Sequence, residues 1–215
     1  MADPLEVFPL PLGPLQANCF LVVHGHEGLV VDPGDEADVL IEAFTEFGFP
    51  PAAVLVTHGH FDHFGGVAPL ARHFGIPVYV GEPDAGQMAD GGLGAVAGFD
   101  IEPVAGALTI SGEQVLDLPI PVTAIPTPGH SRGSYTYVIA EHLFSGDLIF
   151  QNSVGRTDLP GGDRDALLNS IAGLVRRFPP DVVVHCGHGP DTSLGRELAL
   201  NPFLAPLRYD PEHRW

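Results

Sequence analysis

The chain has 215 residues, 45% of them hydrophobic and 17% charged, which suits one large globular core and excludes a disordered polypeptide. Acidic residues number 27 against 9 basic ones, all arginine, and the resulting charge of −18 disfavours contact with a nucleic-acid backbone. No apolar run approaches the roughly eighteen residues of a membrane span, no basic region precedes an apolar stretch at the N-terminus, and two distant cysteines, Cys19 and Cys186, make no disulfide framework, so a cytoplasmic protein is expected.

Along the chain, short runs rich in valine and leucine alternate with Gly/Pro turns. Phe20-Leu21-Val22-Val23, Leu29-Val30-Val31 and Val54-Leu55-Val56 predict strands, and so do Val78-Tyr79-Val80, Val122 to Ile125, Tyr135 to Ile139 and Val182-Val183-Val184. Helical spacing runs from Asp38 to Phe47, ending at Gly48, and from Val67 to Phe74, ending at Gly75. A third helix, Asp165 to Phe178, is stopped by Pro179-Pro180, while the glycines of Glu82 to Gly98 predict a loop around a short helix. Strands flanked by a few helices predict a layered α/β protein with an antiparallel or mixed sheet. No Gly-x-Gly-x-x-Gly follows a strand and opens a helix, so a dinucleotide cofactor is not expected.

The chemistry concentrates after the Val54 strand, in Thr57-His58-Gly59-His60-Phe61-Asp62-His63. Four potential metal ligands fall together, and imidazole with carboxylate suits zinc, iron or manganese. His58 and His60 are two apart and project the same way from extended backbone. Asp62 and His63 reach a second ion only if the chain turns, which Gly59 and Gly65-Gly66 permit. Three later turns echo this one: Pro126-Thr127-Pro128-Gly129-His130-Ser131, Ser145-Gly146-Asp147 and Gly187-His188-Gly189-Pro190. Each is weak alone. Together they supply the ligands that a catalytic ion with an open position, or a pair of ions sharing a carboxylate, requires.

Thr-His-x-His-x-Asp-His with the distant His, Asp and His resembles the metallo-β-lactamase superfamily. Within it, the chain resembles the glyoxalase II-like (hydroxyacylglutathione hydrolase-like) enzymes of the small single-domain bacterial branch. That narrower similarity rests on Asn18-Cys19-Phe20-Leu21-Val22, Val31-Asp32-Pro33-Gly34, Thr127-Pro128-Gly129-His130-Ser131, Gly155 to Gly162 and Gly187-His188-Gly189-Pro190 through Asn201-Pro202-Phe203-Leu204. The resemblance implies a four-layer αβ/βα sandwich of two mixed sheets with outer helices, as one domain over 1–215. It implies two divalent metal ions, zinc foremost, with His58, His60 and His130 on the first and Asp62, His63 and His188 on the second. Asp147 would bridge them together with a water or hydroxide, and Asp62 would also orient that nucleophile. The implied activity is hydrolysis of a small-molecule thioester such as S-lactoylglutathione. A mononuclear-iron persulfide dioxygenase or a lactonase of the same fold is the alternative.

The longer glyoxalase II enzymes take part of their glutathione site from a C-terminal helical domain, whereas only about a dozen residues follow Asn201-Pro202-Phe203 here. Arg156 is therefore the first candidate for an anionic substrate group, against an ion pair with Asp158, and Tyr135 and Arg132 follow it. His24, His26, His73, His142, His185 and His213 are expected to be surface or satisfied core histidines, and Cys19 and Cys186 buried thiols.

Overall fold

The computed structural model describes residues 4–209, so His213 lies outside the described residues. The first six strands are β1 (Leu5–Leu12), β2 (Ala17–His24), β3 (Glu27–Val31), β4 (Ala53–Val56), β5 (Val78–Gly81) and β6 (Leu108–Ile110), and they form one sheet in that order. Pairing is antiparallel from β1 to β3 and parallel from β3 to β6. The helices α1 (Ala37–Phe47), α2 (Phe61–Phe64), α3 (Val67–Phe74), α4 (Ala85–Asp90) and α5 (Gly94–Ala97) fall between its strands, with a 3-10 turn at Glu82–Asp84.

The second sheet uses β7 (Gln114–Leu116), β8 (Val122–Pro126), β9 (Tyr135–Ile139) and β10 (His142–Gly146), then β13 (Val183–Cys186) and β14 (Thr192–Ser193). Its spatial order is β14-β13-β10-β9-β8-β7, with β10 and β13 parallel and the other neighbours antiparallel. A hairpin of β11 (Ile149–Phe150) and β12 (Ser153–Val154) stands apart, and α6 (Arg164–Arg177), α7 (Leu194–Leu200) and a 3-10 segment, Pro202–Tyr209, follow.

Strand periodicity explains the layers. On β2, Cys19 and Leu21 face a cluster with Leu40 and Phe44 of α1 and Leu70 of α3, whereas Phe20 and Val22 face the other sheet. On β4, Val54 and Val56 take the helix side, and Ala53 and Leu55 meet Val122, Ala124 and Tyr137 between the sheets. With both faces buried, these strands read as unbroken apolar runs instead of alternating ones. Leu167, Ile171, Leu174 and Val175 of α6 cover the outer face of the second sheet against Leu143, Val184 and Cys186. The result is the expected four layers of two mixed sheets between helices.

The predicted helices form within a residue of their expected ends. Glu82 to Gly98 instead holds a 3-10 turn and two short helices, α4 and α5. Strand β1 lies outside the predicted strands; it carries Pro9 and Pro11 and is the outermost strand of its sheet, the place where proline is tolerated. No described helix is long and apolar enough to cross a membrane.

Candidate metal centre

Parallel strands place their carboxyl ends on one edge of the sandwich, and the chemistry collects there. Thr57 to His63 leaves β4, His130 leaves β8, Asp147 leaves β10 and His188 leaves β13. Extended backbone at His60 gives way to the single turn α2, and that change of direction separates Asp62 and His63 from His58 and His60.

The side chains form two groups of possible ligands, His58/His60/His130 and Asp62/His63/His188. His130 Nε2 lies 3.2 Å from His58 Nε2 and 2.8 Å from His60 Nδ1. Tautomers follow from the outer nitrogens. His130 Nδ1 donates to the Arg156 carbonyl at 2.8 Å, and His58 Nδ1 donates to Thr57 Oγ at 3.1 Å, whose own proton goes to Asp32 Oδ2. With the Nδ1 protons so placed, the lone pair of each neutral ring lies on Nε2, and the two Nε2 atoms face each other in an arrangement that a cation satisfies.

Asp147 stands between the groups. Its Oδ1 is 3.4 Å from His63 Nε2, and its Oδ2 is 3.5 Å from His130 Nε2 and 3.8 Å from His188 Nε2. His188 Nε2 also lies 3.2 Å from Asp62 Oδ2. Asp147 Oδ1 and His63 Nε2 are both buried without a hydrogen-bond partner. With His63 Nδ1 donating to Asp32, both orphaned atoms offer lone pairs, and two buried lone-pair atoms aimed at one centre fit a bound metal ion.

Electrostatics differ between the two groups. Burial, reinforced by His130 and His63, pushes His60 down to about 4, and burial together with His63 pushes His58 well below its ordinary value. Burial opposes a charge on His63 too, but Asp147 and Asp32 outweigh it and raise the group. The Asp62 hydrogen bond raises His188 against its burial. Burial would raise both carboxyls, yet His188 and His63 hold Asp62 down, and His63 holds Asp147 down.

Two buried carboxylates, Asp32 and Asp84, support the ligands, and neither was singled out for that role in the sequence. Asp32 accepts from Thr57 N at 2.7 Å, Thr57 Oγ at 2.6 Å and His63 Nδ1 at 2.9 Å, which turns His63 Nε2 toward Asp147. Asp32 has φ 51°, a left-handed conformation that Asp tolerates better than most residues. Asp84 is the second. Asn18, in β2, donates to the Cys186 and Gly189 carbonyls at 2.9 and 2.8 Å and ties the first sheet to the His188 turn. Gly187 fits there for lack of a side chain, since a Cβ would stand 2.2 Å from Asp147 Oδ1 and 2.8 Å from His63 Cε1.

The structure separates the three candidates for substrate contact. Arg132 is exposed and lines a cleft of about 350 Å³ with His60, Gln87, Leu93 and Pro160. Arg156 is a correction: its guanidinium grips Asp158 at 2.7 and 2.8 Å, and what it gives the centre is its carbonyl on His130. Tyr135 is another, since it is buried and its hydroxyl donates to the Ile110 and Gly112 carbonyls, 3.2 Å each, away from the ligands. Of the other histidines, His24, His26 and His73 are exposed. His185 is buried against Phe144, 2.9 Å from His142 Nδ1 and 2.9 Å from Asp191 Oδ2. Both thiols are buried, and burial raises their pKa.

Strand ends gathered on one edge of an αβ/βα sandwich, carrying two groups of possible metal ligands with a carboxylate between them, fit a metal-dependent hydrolase. Residues 12–188 match the metallo-beta-lactamase superfamily, and the chain belongs to it. A probable metallo-hydrolase of Bacillus subtilis, YqgX, is 36% identical over 91% of this chain and 95% of its own length. The hydroxyacylglutathione hydrolase GloC of Haemophilus influenzae is 30% identical over 91% and 96%. Among solved structures, TTHA1623 in a di-iron-bound form is 41% identical with a TM-score of 0.85, covering 92% of this chain and 100% of that one. BLEG-1, a B3 metallo-beta-lactamase, is 37% identical at the same TM-score, covering 93% and 100%.

Proposed function

We propose that the whole chain serves as a single hydrolase domain that cleaves a thioester, S-(2-hydroxyacyl)glutathione such as lactoylglutathione, with two divalent ions held as two triads around Asp147. The observation that carries this reading is the position of Asp147, with one buried oxygen lacking a partner beside His63 and the other facing His130 and His188. His58, His60 and His130 hold one ion, zinc in this proposal, and Asp62, His63 and His188 hold the other. Bound ions of this kind supply an activated water and polarise a carbonyl.

The chain's own residues do the rest. Asp62 is held ionised by His188 and His63 and orients the attacking water. A thiol leaving group is acidic enough to depart without a strong general acid. Arg132, beside His60 in the cleft, takes an anionic group of the substrate. The similarity to GloC over nearly both whole chains favours the thioester; the similarity to BLEG-1 favours a β-lactam as second substrate class.

The test pairs metal analysis with assays on one sample: lactoylglutathione hydrolysis, β-lactam hydrolysis and oxygen uptake with glutathione persulfide. We expect two ions per chain and thioester hydrolysis as the fastest reaction. Arg132→Ala then raises KM about tenfold with little change in kcat, as loss of an ionic contact made equally in ground and transition state does. One iron per chain with oxygen uptake and no hydrolysis refutes the proposal.

A further inference from the structure

The segment after β5 places Asp84 beneath the first triad, and its carboxylate is almost completely buried. Its Oδ2 accepts from Gly59 N at 2.8 Å and from Ser131 Oγ at 2.6 Å, and its Oδ1 accepts from Gly133 N at 2.9 Å. Gly59 sits between His58 and His60, and Ser131 follows His130. One carboxylate thus joins the two loops that carry all three nitrogens of the first triad. Gly133 comes so close that a Cβ there would lie 2.5 Å from Asp84 Cγ. Among the described residues, Asp84 makes no hydrogen bond or ion pair with Asp62, His63 or His188; the second triad is braced separately, by Asp32 on His63 and Asn18 on the His188 turn.

We infer that Asp84 is a positioning residue for the first ion alone: it fixes the separation of the His58/His60 loop from the His130 loop and so sets the affinity of that triad. This rests on the two-ion reading above. The physical ground is that hydrogen bonds to a carboxylate are about twice as strong as neutral ones. Three such bonds on a buried group leave the two loops no alternative partner in water. Residues that support metal ligands from behind typically change affinity by about 10- to 100-fold when lost. Asn is the same size as Asp, but in either orientation its NH2 must face a backbone N–H, that of Gly59 or that of Gly133, donor against donor.

The test measures zinc affinity by competition with a chromophoric chelator in two backgrounds that each keep one triad. His188→Ala keeps the first, and His130→Ala keeps the second. Asp84→Asn should weaken zinc about 10- to 100-fold in the first background and less than threefold in the second, and change the visible spectrum of cobalt only in the first. Ser131→Ala, which removes one of the three bonds, should give a smaller loss in the same background. If Asp84→Asn fails to fold by circular dichroism, Ser131→Ala decides alone: a selective loss supports the inference and unchanged affinity overturns it. Equal losses in both backgrounds, or none in either, also overturn it. A wild-type protein that takes up no zinc, iron or manganese sinks the two-ion reading itself, a result distinct from selective failure of Asp84.

Discussion

At the residue scale, proton competition separates the two triads. Metal binding requires deprotonated ligands, so a ligand with a raised pKa must release its proton to the ion, and apparent affinity falls as pH drops below that pKa. His63 and His188 are both raised, so protons compete for the second triad from above the ordinary histidine range. His58 is pushed well down and His60 down to about 4, so protons challenge these two ligands only in acid. Acidification should therefore release the second ion first. A chelator-release profile in His130→Ala and His188→Ala checks this, with the steeper pH dependence expected in His130→Ala. Sequence reading exposed the seven candidate ligands because four of them fall together after one strand, and the resemblance joined His130, Asp147 and His188 to them. Asp32 and Asp84 were illegible as supports, since an acid shows nothing of its partners until the loops fold. For Arg156 the sequence left two readings, a substrate contact or an ion pair with Asp158, and the structure forms the ion pair.

At the scale of elements, the centre depends on turns that approach closely. Gly187, at the end of β13, leaves room for Asp147 and His63. Gly187→Ala should push the Asp147 carboxylate aside and lose both ions' tight binding and most activity. The metal-free melting midpoint should shift much less, because the displaced atoms lie at the edge of the sandwich and not in its core. Metal content with a melting curve checks it. Short β-branched or aromatic runs bounded by turn residues made β2, β3, β4 and β9 legible. Edge strand β1 lay outside the predicted strands. The end of the chain was only a pattern, Asn201-Pro202-Phe203. In the fold, Asn201 is buried and donates to the Ser153 carbonyl at 2.8 Å and to Glu197 at 3.0 Å, bracing the β11–β12 hairpin that follows Asp147.

At the scale of the whole molecule, the centre exists only while the two sheets keep their spacing, because His58 to His63 come from one sheet and His130, Asp147 and His188 from the other. Tyr137 spans the gap, donating from β9 to the Val56 carbonyl at 2.9 Å beside the ligand loop, and Tyr135 N donates to the Thr57 carbonyl at 2.8 Å. Tyr137→Phe leaves that buried carbonyl without the hydroxyl and should cost about 1–3 kcal/mol by denaturant midpoint. Its effect on zinc affinity should be small, because the Tyr135 bond remains. The order of layers was readable from pattern and resemblance. The distances that make two triads out of seven residues were not, since they arise only where two sheets meet. The most direct test of the account is the number of zinc ions bound per chain by metal-stripped wild-type, His188→Ala, His130→Ala and Asp147→Ala proteins. The account predicts two, one, one and no tightly held ion, in that order. A single ion in wild type, or two ions kept by Asp147→Ala, would contradict it.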